Sequence, residues 1–533
     1  MQKTNIAKSK NRKSEQRIKF FRKYHKWLSI GLTGFILLFV ISGIILNHRN
    51  LLARYDVDRS YLLEQYGYKN WNNAAVKSYV KLNKDSALIY GNVGVWFTDD
   101  NFKTYRDFNN GFPIGIDNRK IEIVIRSSKG NLYAGTLFGL YRFNKAAQEW
   151  VKTDLPIHEE RIVGLLSKND SLFVMSRSNL LVSLDKPESL DFKIVKLPPP
   201  EHYDNKIGLF KTLWVIHSGE IYGLAGKLIV DFVGLVFAFL TITGIIYWLV
   251  PKTIKKRKKK NKKVVYLTKN KRWVIRWHNK LGYWLIVILI LNTVTGMFLR
   301  PPLLIPIAEV KMGKIPYTEL DTPNPWFDKL RKIYFDENFE RFILIASDGV
   351  YYSDDEFQSE IKKYKNQPVL SVMGINVFEF LENGKYLVGS FSGLFQWSPE
   401  SGEVFDYIDK KPYEAPKTMG PPIGEHSVTG YIKDYKGKDY YFDFNKGATA
   451  IADGNFVEMP AEIKKQAMSL WNVALEVHTG RYYRFMFGPL YILFIPLAGF
   501  SMLFILISGL IVYLKKFRNN GNNKKQKETP LNN

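Results

Sequence analysis

The chain contains no cysteine among its 533 residues. Disulfides, iron–sulfur clusters, thiolate zinc sites, thiol catalysis and a covalently attached c-type haem are thereby excluded. A redox centre, if there is one, has to be held by His, Met, Tyr or carboxylates, and histidine is scarce, with eight in all. No G-x-G-x-x-G stands between a strand and a helix, so no flavin or nicotinamide fingerprint is indicated. Acidic residues are short as well, 50 against 77 basic ones, which leaves a net charge of +27.

That surplus is confined to three runs. Residues 1–27 hold ten Lys or Arg and one Glu, Lys252–Lys280 holds fourteen basic residues and no acidic one, and the tail from Lys515 holds six against one. The remainder is close to neutral, unlike a nucleic-acid binder that spreads charge over a folded face. Each run abuts a long apolar stretch, the positive-inside pattern. Four stretches, about Leu28–Leu46, Leu228–Val250, Leu281–Leu299 and Pro489–Leu514, suit a hydrocarbon core about 30 Å thick. The first is too long for a signal-peptide core and lacks a small-residue cleavage site, so it reads as an anchor.

The expected fold class is a membrane α-helical four-helix bundle with extracytoplasmic all-β domains and both termini cytoplasmic. Its parts are a basic N-terminus (1–27), helix one (28–48), a β domain (49–216), helix two (217–250), a basic loop (251–277), helix three (278–300), a second β domain (301–477), helix four (478–514) and a basic tail (515–533). The lipid bilayer is its first partner, and no nucleic acid is expected.

The sequence repeats itself. KYHKWLSIGLTG, ending in SGIIL, returns as IRWHNKLGYWLI, ending in TGMFL, so that His25 matches His278 and Gly43 matches Gly296. GVWFTDDNF at Gly94 returns as GVYYSDDEF at Gly349, and KGNLYAGTLFGLYRF as NGKYLVGSFSGLFQW. HSGEIYG at His217 pairs with HTGRYYRFMFG at His478, and TGIIYWL with SGLIVYL. Two copies in the same orientation imply an approximate two-fold axis along the membrane normal. Alternating runs divided by SKG, SDG, ENG and ESG read as antiparallel hairpins, roughly three sheets per copy. These form either six propeller-like blades or two separate small β domains.

Five histidines, His25, His48, His217, His278 and His478, flank the membrane spans. Ionisable groups there are functional candidates. Neutral imidazole is a good axial ligand for haem iron, and a pair from facing helices clamps the ring. His25 with His278 at the cytoplasmic face, and His217 with His478 at the outer face, would hold two b-type haems. His217 and His478 are expected to begin their spans. Gly43 lies five turns from His25, as Gly296 does from His278, leaving room for a flat macrocycle or a close helix neighbour. His48, whose counterpart is Pro301, is an alternative outer ligand, a propionate contact or a plain interfacial residue, ranked below the other four. Arg481 and Arg484 at the outer site, and Arg22 and Arg276 at the inner, are candidates to pair with propionates. Asp231, inside the second span, either handles protons or pairs with a neighbour. His158, His202 and His426 read as exposed loop residues. Trp96, Tyr133, Tyr386 and Trp397 are core residues or ligand contacts.

KYHKWLSIGLTG with SGIIL, HSGEIYG with TGIIYWL, and their second copies resemble the PepSY-associated transmembrane helices of bacterial inner-membrane proteins. The resemblance covers the four spans and their flanks; the outer segments depart from it, reading as β repeats instead of plain PepSY domains. It implies a ferric-siderophore reductase with two haem b groups in the cytoplasmic membrane, His25, His278, His217 and His478 being the matching positions. Its partners would be a ferric siderophore or other ferric chelate, a periplasmic siderophore-binding protein and a cytoplasmic electron donor. The rival expectation is a non-enzymatic membrane-anchored β-propeller-like receptor or assembly protein.

Overall fold

Charge sets where the long helices stop being apolar, and the helices continue past that point. In the computed structural model, which describes residues 2–99, 102–158, 161–371, 374–414, 424–435, 437–452 and 454–515, the first of two units is built on seven helices of nine residues or more, with a short helix at Arg484–Phe487 and a two-stranded sheet of Lys206–Gly208 and Lys311–Gly313 beside them. The seven are α1 (Gln2–Asn47), α2 (Leu209–Ser218), α3 (Gly223–Lys259), α4 (Val265–Trp284), α5 (Ile286–Phe298), α6 (Leu470–His478) and α7 (Phe494–Tyr513). Of the basic tail only Lys515 lies among the described residues, and the side chains of residues 2–14 lie outside them.

Among the described residues three segments, Glu15–Asn47, Glu220–Lys259 and Arg481–Tyr513, are long and apolar enough to cross a membrane. The expected third span is not one helix. The chain bends by 67° between α4 and α5, so a fourth crossing exists only if the bent pair counts as one. Its cause is compositional: α4 carries Lys269, Lys271, Arg272, Arg276 and Lys280, whereas α5 has no charge at all. A charged helix is costly in hydrocarbon, so the axis turns near where the charge ends. α1 packs on α3 and α7, α3 on α4, and α5 on α2 and α7. Ile36, Val233, Val236, Phe237, Leu289 and Leu506 form the apolar middle of this unit.

The second unit joins residues 50–205 with 322–471, so the two β domains expected at 49–216 and 301–477 are one body with narrower limits. Residues 206–221 and 301–321 go with the helices. Period-two alternation and tight turns build it. SALIYG (Ser86–Gly91) pairs antiparallel with GVWFTD (Gly94–Asp99), from Ser86↔Asp99 to Gly91↔Gly94, leaving a two-residue turn. Six such meanders follow one another, spanning 78–107, 121–153, 162–195, 330–363, 375–412 and 428–450. The two GV(W/Y) repeats are the third strands of the first and fourth sheets. The Gly135 and Gly389 repeats are second strands of the second and fifth.

An apolar cluster fills each junction between neighbouring sheets, and the ring closes. Leu88 and Val95 of the first sheet meet Tyr141 and Trp150 of the second. Met175 and Leu180 of the third meet Leu330 and Leu344 of the fourth. Ile89 and Trp96 of the first meet Ile432 and Phe442 of the sixth. The sixth sheet has three strands, and its free edge is taken by the segment before the first sheet: the Ala448 N–H donates to the Asn70 carbonyl (2.8 Å) and Asn73 N–H to that of Phe444 (2.7 Å). Trp71 in that strap is fully buried, a contribution of roughly 4–6 kcal/mol at about 25 cal/mol per Å². The domain is propeller-like.

Candidate functional site

HSG and HTG each end a short helix. His217 is near the end of α2 and His478 is the last residue of α6, and Gly219 and Gly480 follow in the left-handed conformation (φ 80° and 79°). Glycine adopts it without a Cβ penalty. The expectation that these histidines begin the long helices is therefore corrected: each ends a preceding helix and is turned back by its glycine. A Cβ on Gly219 would also collide with the Gly226 carbonyl.

The four histidines meet in two pairs. The His25 and His278 ring centres are 6.4 Å apart, and those of His217 and His478 6.1 Å. Along α1, 17 residues separate His25 from Ser42, which touches His478; at 1.5 Å per residue the pairs lie about 26 Å apart. Between them stands the apolar layer of Ile36, Phe237, Leu289 and Leu506.

Each ring is tied by Nδ1 to one helix face. His25 Nδ1 lies 2.9 Å from the Ile505 carbonyl and 3.1 Å from Ser508 Oγ. For His217 the partners are the Asn292 carbonyl (3.0 Å) and Thr295 Oγ1 (3.4 Å). For His478 they are the Phe39 carbonyl (3.1 Å) and Ser42 Oγ (3.0 Å). His278 Nδ1 lies 2.9 Å from Thr243 Oγ1, and the Leu240 carbonyl is a further acceptor for the ring. A carbonyl only accepts, so Nδ1 carries the proton in His25, His217 and His478, and the matching helix face at Leu240 and Thr243 gives His278 the same tautomer, leaving each Nε2 its lone pair. No described residue hydrogen-bonds any of the four Nε2 atoms.

The pattern is carbonyl at i, hydroxyl at i+3, glycine at i+4, all on one helix face. Gly509, Gly244, Gly296 and Gly43 give the imidazoles room: a Cβ on Gly296 would sit 2.5 Å from His217 Cε1, one on Gly509 3.0 Å from His25 Cε1, and one on Gly43 3.2 Å from His478 Cε1. Gly43 and Gly296 thus seat a neighbour's imidazole, not one from their own helix.

The residues fit a haem. Metal–imidazole bonds are about 2.0 Å, so two imidazoles on opposite sides of one ion place their ring centres roughly 6 Å apart, as both pairs do. Among the described residues no group of three or more His, Asp or Glu could hold a bare metal ion. A macrocycle that brings its own four nitrogens needs only the pair.

Elsewhere the expectations divide. His48 is outside both pairs: its Nε2 is 2.6 Å from Asp231, whose other oxygen accepts from Asn47 Nδ2 at 2.9 Å. Asp231 therefore pairs with neighbours. Arg481 is bonded to Glu476 at 2.6 Å, while Arg484, Arg22 and Arg276 are exposed. His158 and His202 are exposed, but His426 is only 15% exposed, set between Asp409 (3.4 Å) and Tyr441 (3.3 Å). Trp96, Tyr133, Tyr386 and Trp397 are at most 3% exposed and belong to the core, so none is a surface contact for a ligand. Sequence reasoning missed the hydroxyls Ser42, Thr243, Thr295 and Ser508. They stand before glycine in every SGIIL, TGIIYWL, TGMFL and SGLIVYL, a recurrence that could have revealed them.

Curated proteins include no match. Among solved structures, the extracellular domain of a hybrid two-component system from B. thetaiotaomicron aligns at 9% identity and TM-score 0.36, over 74% of this chain and 34% of that one. PorZ, a surface component of the type-IX secretion system of Porphyromonas gingivalis, aligns at 10% and 0.34, over 74% and 41%. The WD40 beta propeller domain of Doa1 aligns at 10% and 0.30, over 72% and 96%. This chain thus spans about a third of the first structure's length. A family model described as the PepSY-associated TM region matches twice, over residues 2–251 and 252–516, and the chain belongs to that family.

Proposed function

We propose that this protein is an internally duplicated, four-span carrier of electrons across a bacterial cytoplasmic membrane, with cytoplasmic termini and the propeller-like domain outside. In this reading it takes electrons from a cytoplasmic donor and delivers them to an extracytoplasmic ferric chelate, as a ferric-siderophore reductase does. The supporting observation is the two imidazole pairs at 6.1 and 6.4 Å, each ring presenting a free Nε2. His25 with His278 would hold one b-type haem and His217 with His478 the other.

Haem between two imidazoles supplies one-electron redox chemistry. The chain's own part is to fix both rings in one tautomer and to keep water and ions out of the apolar layer between the pairs. That layer gives a permeating solute no polar path, which disfavours a transporter. Reduction suits iron release, because ferric iron is held tightly by hard oxygen donors and ferrous iron prefers softer ligands.

The expected result is a red preparation with a low-spin Soret band that sharpens on dithionite, and a His278→Ala variant with about half the haem. A folded, colourless protein would instead favour the second reading, which the propeller-like domain supports by itself: a membrane-anchored receptor or assembly protein. Unchanged haem content in His278→Ala would refute the ligand assignment.

A further inference from the structure

Each of the four hydroxyls beside a histidine has its own proton committed elsewhere. Ser42 Oγ donates to the Leu38 carbonyl at 2.6 Å, Thr243 Oγ1 to Phe239 at 2.6 Å, Thr295 Oγ1 to Leu291 at 2.8 Å, and Ser508 Oγ to Ile505 at 3.0 Å. Back-bonding of this kind is common for Ser and Thr in helices and ordinarily closes on itself. Here the oxygen is left facing an imidazole Nδ1, with its lone pairs as the only groups it can offer. The hydroxyl can therefore accept from Nδ1–H and cannot donate to it. At His25, His278 and His478 a bare Nδ1 would face oxygens without a proton to give; at His217 the Asn292 Nδ2 also lies 3.5 Å from Nδ1, so the hydroxyl is not the only neighbour that bears on the tautomer there.

We infer that Ser42, Thr243, Thr295 and Ser508 are positioning residues that lock the tautomer and the ring plane of His478, His278, His217 and His25 for metal binding through Nε2. This deepens the proposed function and rests on it for the identity of the bound group. The arrangement occurs four times on four different helices, α1, α3, α5 and α7, each time with the accepting carbonyl three residues before and the glycine one residue after. A hydrogen bond from the distal ring nitrogen also raises the basicity of the ligating one. The four sites are not equal: the hydroxyl is 2.9–3.1 Å from Nδ1 at His278, His478 and His25 and 3.4 Å at His217. Thr295 is therefore the weakest of the set.

The test uses the full-length protein in detergent or nanodiscs, stripped of haem and titrated with haemin. Thr243→Val keeps the side-chain volume and removes the hydroxyl; Thr243→Ser keeps the hydroxyl. Loss of such a partner typically costs about 10–100-fold in metal affinity, so Thr243→Val is expected to weaken one of the two haemin sites by that factor. That site should also show a changed low-spin EPR spectrum and a higher midpoint potential, while the other site stays as in the wild type. Thr243→Ser should restore all three readouts. Thr295→Val should show the same changes in smaller measure. Wild-type affinity, spectrum and potential in Thr243→Val, with two low-spin haems bound, would overturn this inference and leave the proposed function standing. A wild-type chain that takes up no haemin would overturn both.

Discussion

Single side chains on the first strands of the second and fifth sheets show opposite ways of holding a carboxylate. Glu122 is buried, which alone would raise its pKa, but Lys77 at 2.5 Å, Lys332 at 3.7 Å and Arg161 outweigh burial and hold it down at about 2. Its stabilisation is present above the ordinary pKa of 4.5 and is lost only as pH falls through about 2. Glu379 goes the other way: burial outweighs the pull of Lys433 and, with a smaller push from Asp439, raises it to about 6. With the folded-state pKa raised, the neutral form is favoured, so stability is full below 4.5 and declines as pH rises through about 6. Glu379→Gln removes that penalty. At pH 8 the variant should be more stable than wild type by about 1 kcal/mol, a value already reduced for partial exposure, and at pH 4 the two should coincide. Denaturant midpoints of the domain at both pH values check this; an equal gain at pH 4 would show that packing, not charge, is the cause.

A helix face with carbonyl, hydroxyl and glycine at i, i+3 and i+4 makes the glycines unequal, because the approach distances differ. The Cβ of alanine at 296 would be 2.5 Å from His217 Cε1, whereas at 244 it would be 3.8 Å from His278 Cε1, an ordinary contact. Gly296→Ala should push the His217 imidazole aside and lower the protein's Tm. Gly244→Ala should be neutral or gain up to about 1 kcal/mol from helix propensity. Thermal melts of the two variants, with haem stoichiometry as the second readout, separate them; equal behaviour would mean that the rings move freely. At this scale the sequence was readable where length and charge decide, as in the three long apolar segments and the basic runs that flank them. The bend was only half readable: the last charge, Lys280, marks the region, but the apolar run from Leu281 to Leu299 does not say at which residue the axis turns. The reversal after His217 and His478 was written in HSG and HTG, but a glycine there is equally compatible with a helix that starts.

For the whole molecule, the repeat was legible as a matter of matched strings, and ring closure was not, because it depends on contacts between residues some 350 positions apart, such as Ile89 and Ile432. The consequence is interdependence of the halves. His25 of the first half is seated on Ser508 of the second, His217 on Thr295, His278 on Thr243 and His478 on Ser42, so all four cradles cross over. The β ring is likewise three sheets from each half, closed by one apolar cluster around Met175 and Leu344 and another around Trp71 and Phe442. A half alone would expose both clusters and leave every histidine without its seat, a loss far above the about 5–15 kcal/mol that holds an ordinary domain. The chain can be cut without interrupting a helix in the turn at Asn261. Residues 1–261 and 262–533, expressed together with a tag on one, should copurify as a protease-resistant pair with the haem content of the intact protein. Either fragment alone should be degraded or aggregated. A lone 1–261 fragment that melts cooperatively would mean that the halves are separate modules, and the crossed cradles would then be a packing accident of two bodies that do not need each other.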